Sequence, residues 1–194
     1  MAKRTPEEVL TTAIHEAGHA VVGRVLGLTC GKVTIGANYR TRTLGYGVIA
    51  EPWFTVDCWE QRGRYRPPEA AFRGRILAYM AGREAEEELL GNSEGGDDDD
   101  QYQIALMLMD LYRGEDRQAK FEGRLRRAAR SLVRRHRPKI EALSRALIEQ
   151  RTMSDKRVRL AAGLPPRLRR LSRKEAYRRW CRMHGVSSDT VENG

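Results

Sequence analysis

The sequence has few cysteines and no long apolar run, and both shortages exclude classes of protein. The three cysteines, Cys30, Cys58 and Cys181, are odd in number and far apart, which argues against a disulfide framework and against a thiolate zinc site. No apolar segment precedes the charged start of the chain, and no window of about 18 apolar residues occurs. We therefore expect neither a signal peptide nor a membrane segment, and we expect the reducing cytoplasm as the compartment.

Acidic residues are scarce in the second half of the chain, which is strongly basic. Residues 1–100 carry 12 Lys and Arg against 16 Asp and Glu, whereas residues 101–194 carry 24 against 10. The two halves therefore have net charges of −4 and +14. The basic half predicts an acidic protein or a nucleic acid as partner, and the alternative is an ordinary solvated helical face.

Histidine is also scarce, with four in the chain, but two of the four stand in a His-Glu-x-x-His motif at His15, Glu16 and His19. Residues four apart on a helix lie one above the other, so both imidazoles can reach one metal ion. Glu16 is rotated by about 100° from His15, where it can reach a water on that ion and act as general base. The pattern predicts a zinc site and peptide hydrolysis through a zinc-bound water that Glu16 activates.

The alternative is an amphipathic helix in which the two histidines are satisfied polar residues. The spacing and the intervening Glu favour the metal site, and small Ala17 and Gly18 are expected to leave room around the ion. Thr5, Pro6 and Glu8 predict the start of this helix with a capping box, and Gly27 predicts its end.

Two short strands are predicted after the motif, over residues 31–36 and 44–50, as a small antiparallel sheet. Gly45 and Gly47 leave one strand face bare, which suits either an edge strand that pairs with an extended substrate or a weakened strand under a loop. Residues 51–68 combine prolines and aromatic residues with charges and are expected to form an irregular loop. A helix should follow from Pro68 to Gly91, with Glu84, Glu86, Glu87 and Glu88 near its end.

Four consecutive acids, Asp97 to Asp100, precede another helix and are candidates for the third metal ligand. Asp100 is followed at four and eight residues by Ile104 and Leu108, which places it on the core-facing stripe. We therefore choose Asp100, with Asp99 as the second choice and Asp97 and Asp98 solvated. The glutamates of the preceding helix stay open as alternative ligands, although glutamates in such a position more often solvate a helix face.

The remainder of the chain is predicted to be helical and basic. An Arg-rich helix should cover residues 117–137, and Pro138 should begin a further helix through Ile148. From Gly163 onward the sequence resembles an appended basic arm that contains one short helix. The predicted division is therefore a domain over residues 1–162 and a basic C-terminal arm over residues 163–194.

Five blocks of the sequence, in the same order, resemble the peptidase domain of the FtsH-type AAA+ zinc proteases. They are His-Glu-Ala-Gly-His-Ala at 15–20, Lys-Val-Thr-Ile at 32–35, Leu-Gly-Tyr at 44–46, Ala-Gly-Arg-Glu-Ala-Glu-Glu at 81–87 and Ile-Glu-Ala-Leu at 140–143. The resemblance implies an α+β, mostly α-helical, zincin-like peptidase domain with a small antiparallel β-sheet. It also implies His15 and His19 as zinc ligands, Glu16 as base and an Asp of the run 97–100 as third ligand.

The chain departs from that family in lacking the ATPase half and its membrane segments. The Gly31-Lys32 pair is followed by Val33, so no phosphate-binding loop is present. The expected function is that of an ATP-independent zinc metalloendopeptidase acting on peptides and on unfolded or accessible protein segments. The alternative is a basic nucleic-acid- or protein-binding module on the same fold, and the sequence leaves open a homo-oligomer and a separate ATPase partner.

Overall fold

The computed structural model describes residues 4–37, 44–93, 97–167 and 170–185. The helices are α1 (Pro6–Val25), α2 (Pro52–Glu60), α3 (Pro68–Leu90), α4 (Asp98–Leu111), α5 (Glu115–Gln150), α6 (Asp155–Ala161) and α7 (Arg173–His184). The strands are β1 (Cys30–Thr34), β2 (Tyr46–Ile49) and β3 (Thr152–Met153). The protein is thus mostly α-helical with a small antiparallel sheet, as predicted.

Helix α1 lies at the centre and packs against both α3 and α5. The predicted capping box is present: the Thr5 side chain accepts from the backbone N–H of Glu8, and the Glu8 carboxylate accepts from that of Thr5. Gly27 has a φ of 79°, which favours glycine at the end of a helix. At Gly18 the absence of a side chain brings α3 close, since a Cβ there would lie 2.4 Å from the Ala81 carbonyl oxygen. Gly18 therefore makes room for α3, whereas we had expected it to make room for a metal ion.

The sheet has the order β2-β1-β3, and both pairings are antiparallel. Val33 is opposite Gly47 of β2 on one side and Met153 of β3 on the other. Strand β2 is therefore an edge strand, and it lies against α1. The predicted connection between β1 and β2 falls mostly on residues 38–43, which are outside the described part.

Two predictions about helices are wrong. Residues 52–60 form α2 in place of an irregular loop, because Pro52 suits a first helical position and Thr55, Val56 and Trp59 bury one face of the turn. Pro138 does not begin a new helix, since α5 continues through it to Gln150. The carbonyl that loses its partner there belongs to Arg134, which is exposed to water, as is Pro138. Buried Val133 and Ile140 continue one apolar stripe past the proline.

The predicted basic arm contacts the body of the protein along the part that is described. The backbone N–H of Leu171 donates to the carbonyl of Gln61 at 2.9 Å, and the Arg167 guanidinium donates to the carbonyl of Cys30. Cys181 of α7 is buried. The short predicted helix is α7, residues 186–194 lie outside the described part, and the boundary at residue 163 stays a prediction.

All three cysteines are free and buried. Within the described ranges, no helix has the length and apolar character that a membrane crossing would require.

Candidate metal centre

The structure brings together His15 and His19 of α1 and Asp100 of α4. The two Nε2 atoms are 2.8 Å apart, and each lies 3.0 Å from Oδ2 of Asp100. Helix spacing aligns the imidazoles, as expected for residues four apart. Asp100 reaches them because it stands in the first turn of α4, whose buried Ile104 and Leu108 lie against the core. Asp99 is exposed.

Both imidazoles are held from behind by acceptors on α3. The Nδ1 atom of His15 lies 2.5 Å from Oε1 of Glu86, and that of His19 lies 2.7 Å from the carbonyl oxygen of Ala78. A backbone carbonyl can only accept, and a carboxylate accepts when ionised, so the proton of each neutral ring belongs on Nδ1. Each Nε2 then presents its lone pair to Asp100 and to the other ring. Glu86 therefore orients His15 from outside the cluster.

Three acceptor atoms thus face one another in a largely buried space. Such an arrangement is repulsive unless protons or a cation lie between the atoms. Burial alone would lower the pKa of His15, but hydrogen bonds with Asp100 and Glu86 outweigh it and raise that pKa to about 10. The pKa of Asp100 is lowered by the two histidines, against the opposing effect of burial. Without an ion, the cluster therefore retains protons, and it offers a site where a cation can replace them.

Glu16 lies next to this cluster and is buried. Burial raises its pKa, against the opposing effect of His19 and His15. Its Oε2 atom has no hydrogen-bond partner, and its carboxylate lies against Gly45 and Gly47 at the edge strand β2. A Cβ at Gly45 would lie 2.8 Å from Oε1 of Glu16. The bare strand face expected at these glycines is therefore filled, at least in part, by the Glu16 side chain.

Gly82 of α3 is a contributor that sequence reasoning missed. A Cβ at this position would lie 2.5 Å from Cε1 of His19 and 2.7 Å from Cε1 of His15. Only a glycine therefore allows α3 to pass directly behind the two rings. It belongs to the Ala81-Gly82-Arg83 block of the sequence, but the reason for glycine there depends on how the helices pack.

The other acidic candidates lie outside the cluster. Glu84, Glu87 and Glu88 pair with arginines of α5, namely Arg130 and Arg134. Part of the Arg-rich face of α5 is therefore bound to α3, and a nucleic acid or acidic partner for that face stays a prediction. Asp97 is buried, contrary to expectation, because Gln101 donates to its carboxylate at 2.6 Å.

Among the described residues, the three groups His15, His19 and Asp100 form the set whose ligand atoms lie close enough to hold one metal ion. The chain matches no protein-family model, and a search of curated proteins finds no match. The chemistry of the site therefore has to be argued from its own geometry.

Proposed function

We propose that this protein is an ATP-independent zinc metalloendopeptidase with a zincin-like peptidase domain of the FtsH type. The observation that carries the proposal is the convergence of three acceptors, Nε2 of His15, Nε2 of His19 and Oδ2 of Asp100, beside the buried carboxylate of Glu16. Two imidazoles and one carboxylate are the donor set of many catalytic zinc sites, which keep a fourth position open.

The spacing of the three atoms supports this donor set. A tetrahedral ion about 2.1 Å from each ligand separates its ligand atoms by about 3.4 Å. The observed separations are 2.8 to 3.0 Å, so each ligand atom would have to move outward by a few tenths of an ångström to accept the ion. Small rotations about the side-chain torsions of the three residues are enough for a movement of roughly that size. His15, His19 and Asp100 would hold the ion, while Glu86 and the Ala78 carbonyl fix the two ring orientations.

A zinc ion held there would lower the pKa of a bound water and polarise a substrate carbonyl. The rest of the chemistry belongs to Glu16, whose Oε2 has no other partner and can accept a proton. As water adds to the carbonyl carbon of the peptide, its proton passes to Glu16. The same proton then passes to the amide nitrogen as the carbon–nitrogen bond breaks, which restores the carboxylate.

The edge strand β2 supports a peptide as the substrate class. Gly47 on it and Gly45 directly before it lie beside Glu16, and Tyr46 and Val48 are exposed on it. An extended peptide can pair with such an edge through backbone hydrogen bonds. Substrates would be peptides and unfolded or accessible protein segments, because the proposed site includes no ATP-driven unfolding device.

The test is Glu16→Gln beside the matched control Glu7→Gln, which changes an exposed glutamate of the same helix. We expect Glu16→Gln to retain zinc and fold but to lose hydrolysis of casein or a fluorogenic peptide by about 10²- to 10⁴-fold, because the amide cannot accept the proton. Glu7→Gln should cleave normally, and a chelator should abolish its activity. Normal turnover by Glu16→Gln would refute the mechanism.

A further inference from the structure

A second cleft lies at the C-terminal end of α1, and we call it the basic cleft. It has a volume of about 370 Å³ and lies between the end of α1 with the turn after it, the end of α2 with the turn after it, helices α5 and α6, and residues 164–167. Arg24, at its floor, is five residues beyond His19, which is about 7.5 Å along a helix axis, and no residue of the candidate metal centre lines the cleft. The basic cleft is therefore separate from the candidate metal centre.

Positive side chains line the basic cleft. They are Arg24, Arg62, Arg64, Lys139, Arg159 and Arg167. None of the described residues that line it is acidic. Asp155, just outside, lies 3.0, 3.2 and 3.5 Å from the Nε atoms of Arg24, Arg159 and Arg167, so one carboxylate is shared by three guanidinium groups. Excess positive charge in a concave surface focuses the field and favours an anion.

The cations differ in how firmly the fold holds them. Arg24 is buried and donates to Asp155 and to the carbonyls of Ala20 and Gly31, so it contributes charge without leaving its place. Lys139 donates to the Gly163 carbonyl at 2.9 Å and more weakly to that of Ala162 at 3.5 Å. An ammonium has three N–H groups, so Lys139 can donate to a ligand as well.

The cleft also has an apolar wall. Leu28 and Trp59 are buried there, and Leu164 and Pro165 face them from the segment after α6. The indole N–H of Trp59 donates to the Gly27 carbonyl at 2.6 Å, which fixes the ring. A volume of about 370 Å³ is within the range of small-molecule pockets, about 300 to 1,000 Å³. The cleft therefore suits a small ligand that joins an apolar group to a strong anion.

We propose that the basic cleft binds a small organic phosphate ester. Its dianionic group would lie near Lys139, Arg64 and Arg167, and its organic part against Leu28, Trp59 and Leu164. A dianion matches the charge better than a carboxylate does, since one Asp155 carboxylate faces several cations. A cleft of about 370 Å³ suits a small molecule better than the extended backbone of a nucleic acid. This inference is independent of the proposed peptidase activity.

Calorimetric titration of the full chain with phenyl phosphate, inorganic phosphate and phenol tests the proposal. Two variants remove charge from the cleft, Lys139→Gln and Arg64→Gln, and Arg127→Gln removes the same charge from an exposed position of α5. We expect one saturable phenyl phosphate site per chain, weakened by about tenfold or more in each cleft variant and by less than about twofold in Arg127→Gln. Inorganic phosphate should bind more weakly, and phenol should not bind detectably.

Several results would overturn the proposal. No saturable binding of phenyl phosphate, or equal weakening by Arg127→Gln, would show that the cleft is not a specific anion site. Equal affinity for inorganic phosphate and phenyl phosphate would refute the organic ester. An oligonucleotide that binds, weakens with Lys139→Gln and is not displaced by phenyl phosphate would assign the cleft to nucleic acid instead. Unchanged melting temperatures of the two cleft variants serve as the folding control.

Discussion

The middle and the C-terminal end of helix α1 contribute to sites of opposite charge. Around His15 and His19 the neighbouring ionisable groups are the carboxylates of Glu16, Glu86 and Asp100, and their acceptor atoms converge. Around Arg24 the neighbouring groups are cations that share Asp155. The middle of the helix is thus suited to a cation and its C-terminal end to an anion.

The difference lies also in how each site is assembled. The core of the candidate metal centre is local, because a single helical turn aligns His15 and His19. The basic cleft combines residues from well-separated parts of the chain, and half of its six Lys and Arg residues come from residues 1–100, the half with net charge −4. The net charge of a segment therefore does not show where a charged site will form.

The largest effect is expected from Gly82→Ala, which changes the candidate metal centre and leaves the basic cleft unchanged. The new Cβ would lie 2.5 to 2.7 Å from two imidazoles that hydrogen bonds hold in place, so they cannot move aside without losing those bonds. We expect loss of stoichiometric zinc and of peptide cleavage, with destabilisation of about 1–3 kcal/mol. Zinc content and thermal unfolding measure these two effects.

The control for that exchange is Gly123→Ala within α5, where a Cβ would approach only Arg127 at 3.8 Å. It should leave zinc binding unchanged and stabilise the helix by about 0.5–1 kcal/mol. The distinction between the candidate metal centre and the basic cleft would fail if Gly82→Ala spared zinc binding while weakening phenyl phosphate binding.

A smaller effect is expected from Glu86→Gln, which neutralises the partner of His15 Nδ1 and keeps its size. Loss of the carboxylate weakens both the orientation and the basicity of His15, so zinc affinity should fall by about 10- to 100-fold. Competition with a chromophoric chelator measures this change. Glu88→Gln is the matched control, because Glu88 pairs with Arg134 and stands two residues further along α3. Equal affinities of the two variants would exclude Glu86 as a positioning residue.

The smallest effect on catalysis is expected from deleting residues 163–194. The arm contacts the body at Gln61 and Cys30, away from the histidines, so peptide cleavage should change by no more than about twofold. Phenyl phosphate binding should be lost with Leu164 and Arg167. Zinc loss, or unfolding of the truncated chain, would show that the arm belongs to the core and that the domain boundary at residue 162 is wrong.

Much of the candidate metal centre can be predicted from the sequence, because the interactions that align its residues are local. Helix spacing places the two histidines together, and helix phase distinguishes Asp100 from exposed Asp99. The roles of Glu86 and Gly82 do not follow, since they depend on which face of α3 packs behind the imidazoles.

The wrong or missing predictions in other parts of the chain also arise because tertiary packing decides the structure there. Residues 52–60 form a helix because tertiary contacts bury one face of a short segment rich in proline and aromatic neighbours. Helix α5 passes Pro138 because the freed carbonyl belongs to Arg134, an exposed residue, and the buried stripe continues. The basic cleft was not predicted at all, because no motif links residues so far apart in the chain.

The most direct measurement is the zinc content per chain of the purified protein with Asp100→Asn, compared with the wild type and with Asp99→Asn. Both exchanges remove one negative charge from neighbouring positions of the same helical turn, but only Asp100 reaches the two Nε2 atoms. We expect one zinc per chain in the wild type and in Asp99→Asn, and little zinc after dialysis in Asp100→Asn. Full retention of zinc by Asp100→Asn, or a wild-type protein that binds no zinc, would contradict the account.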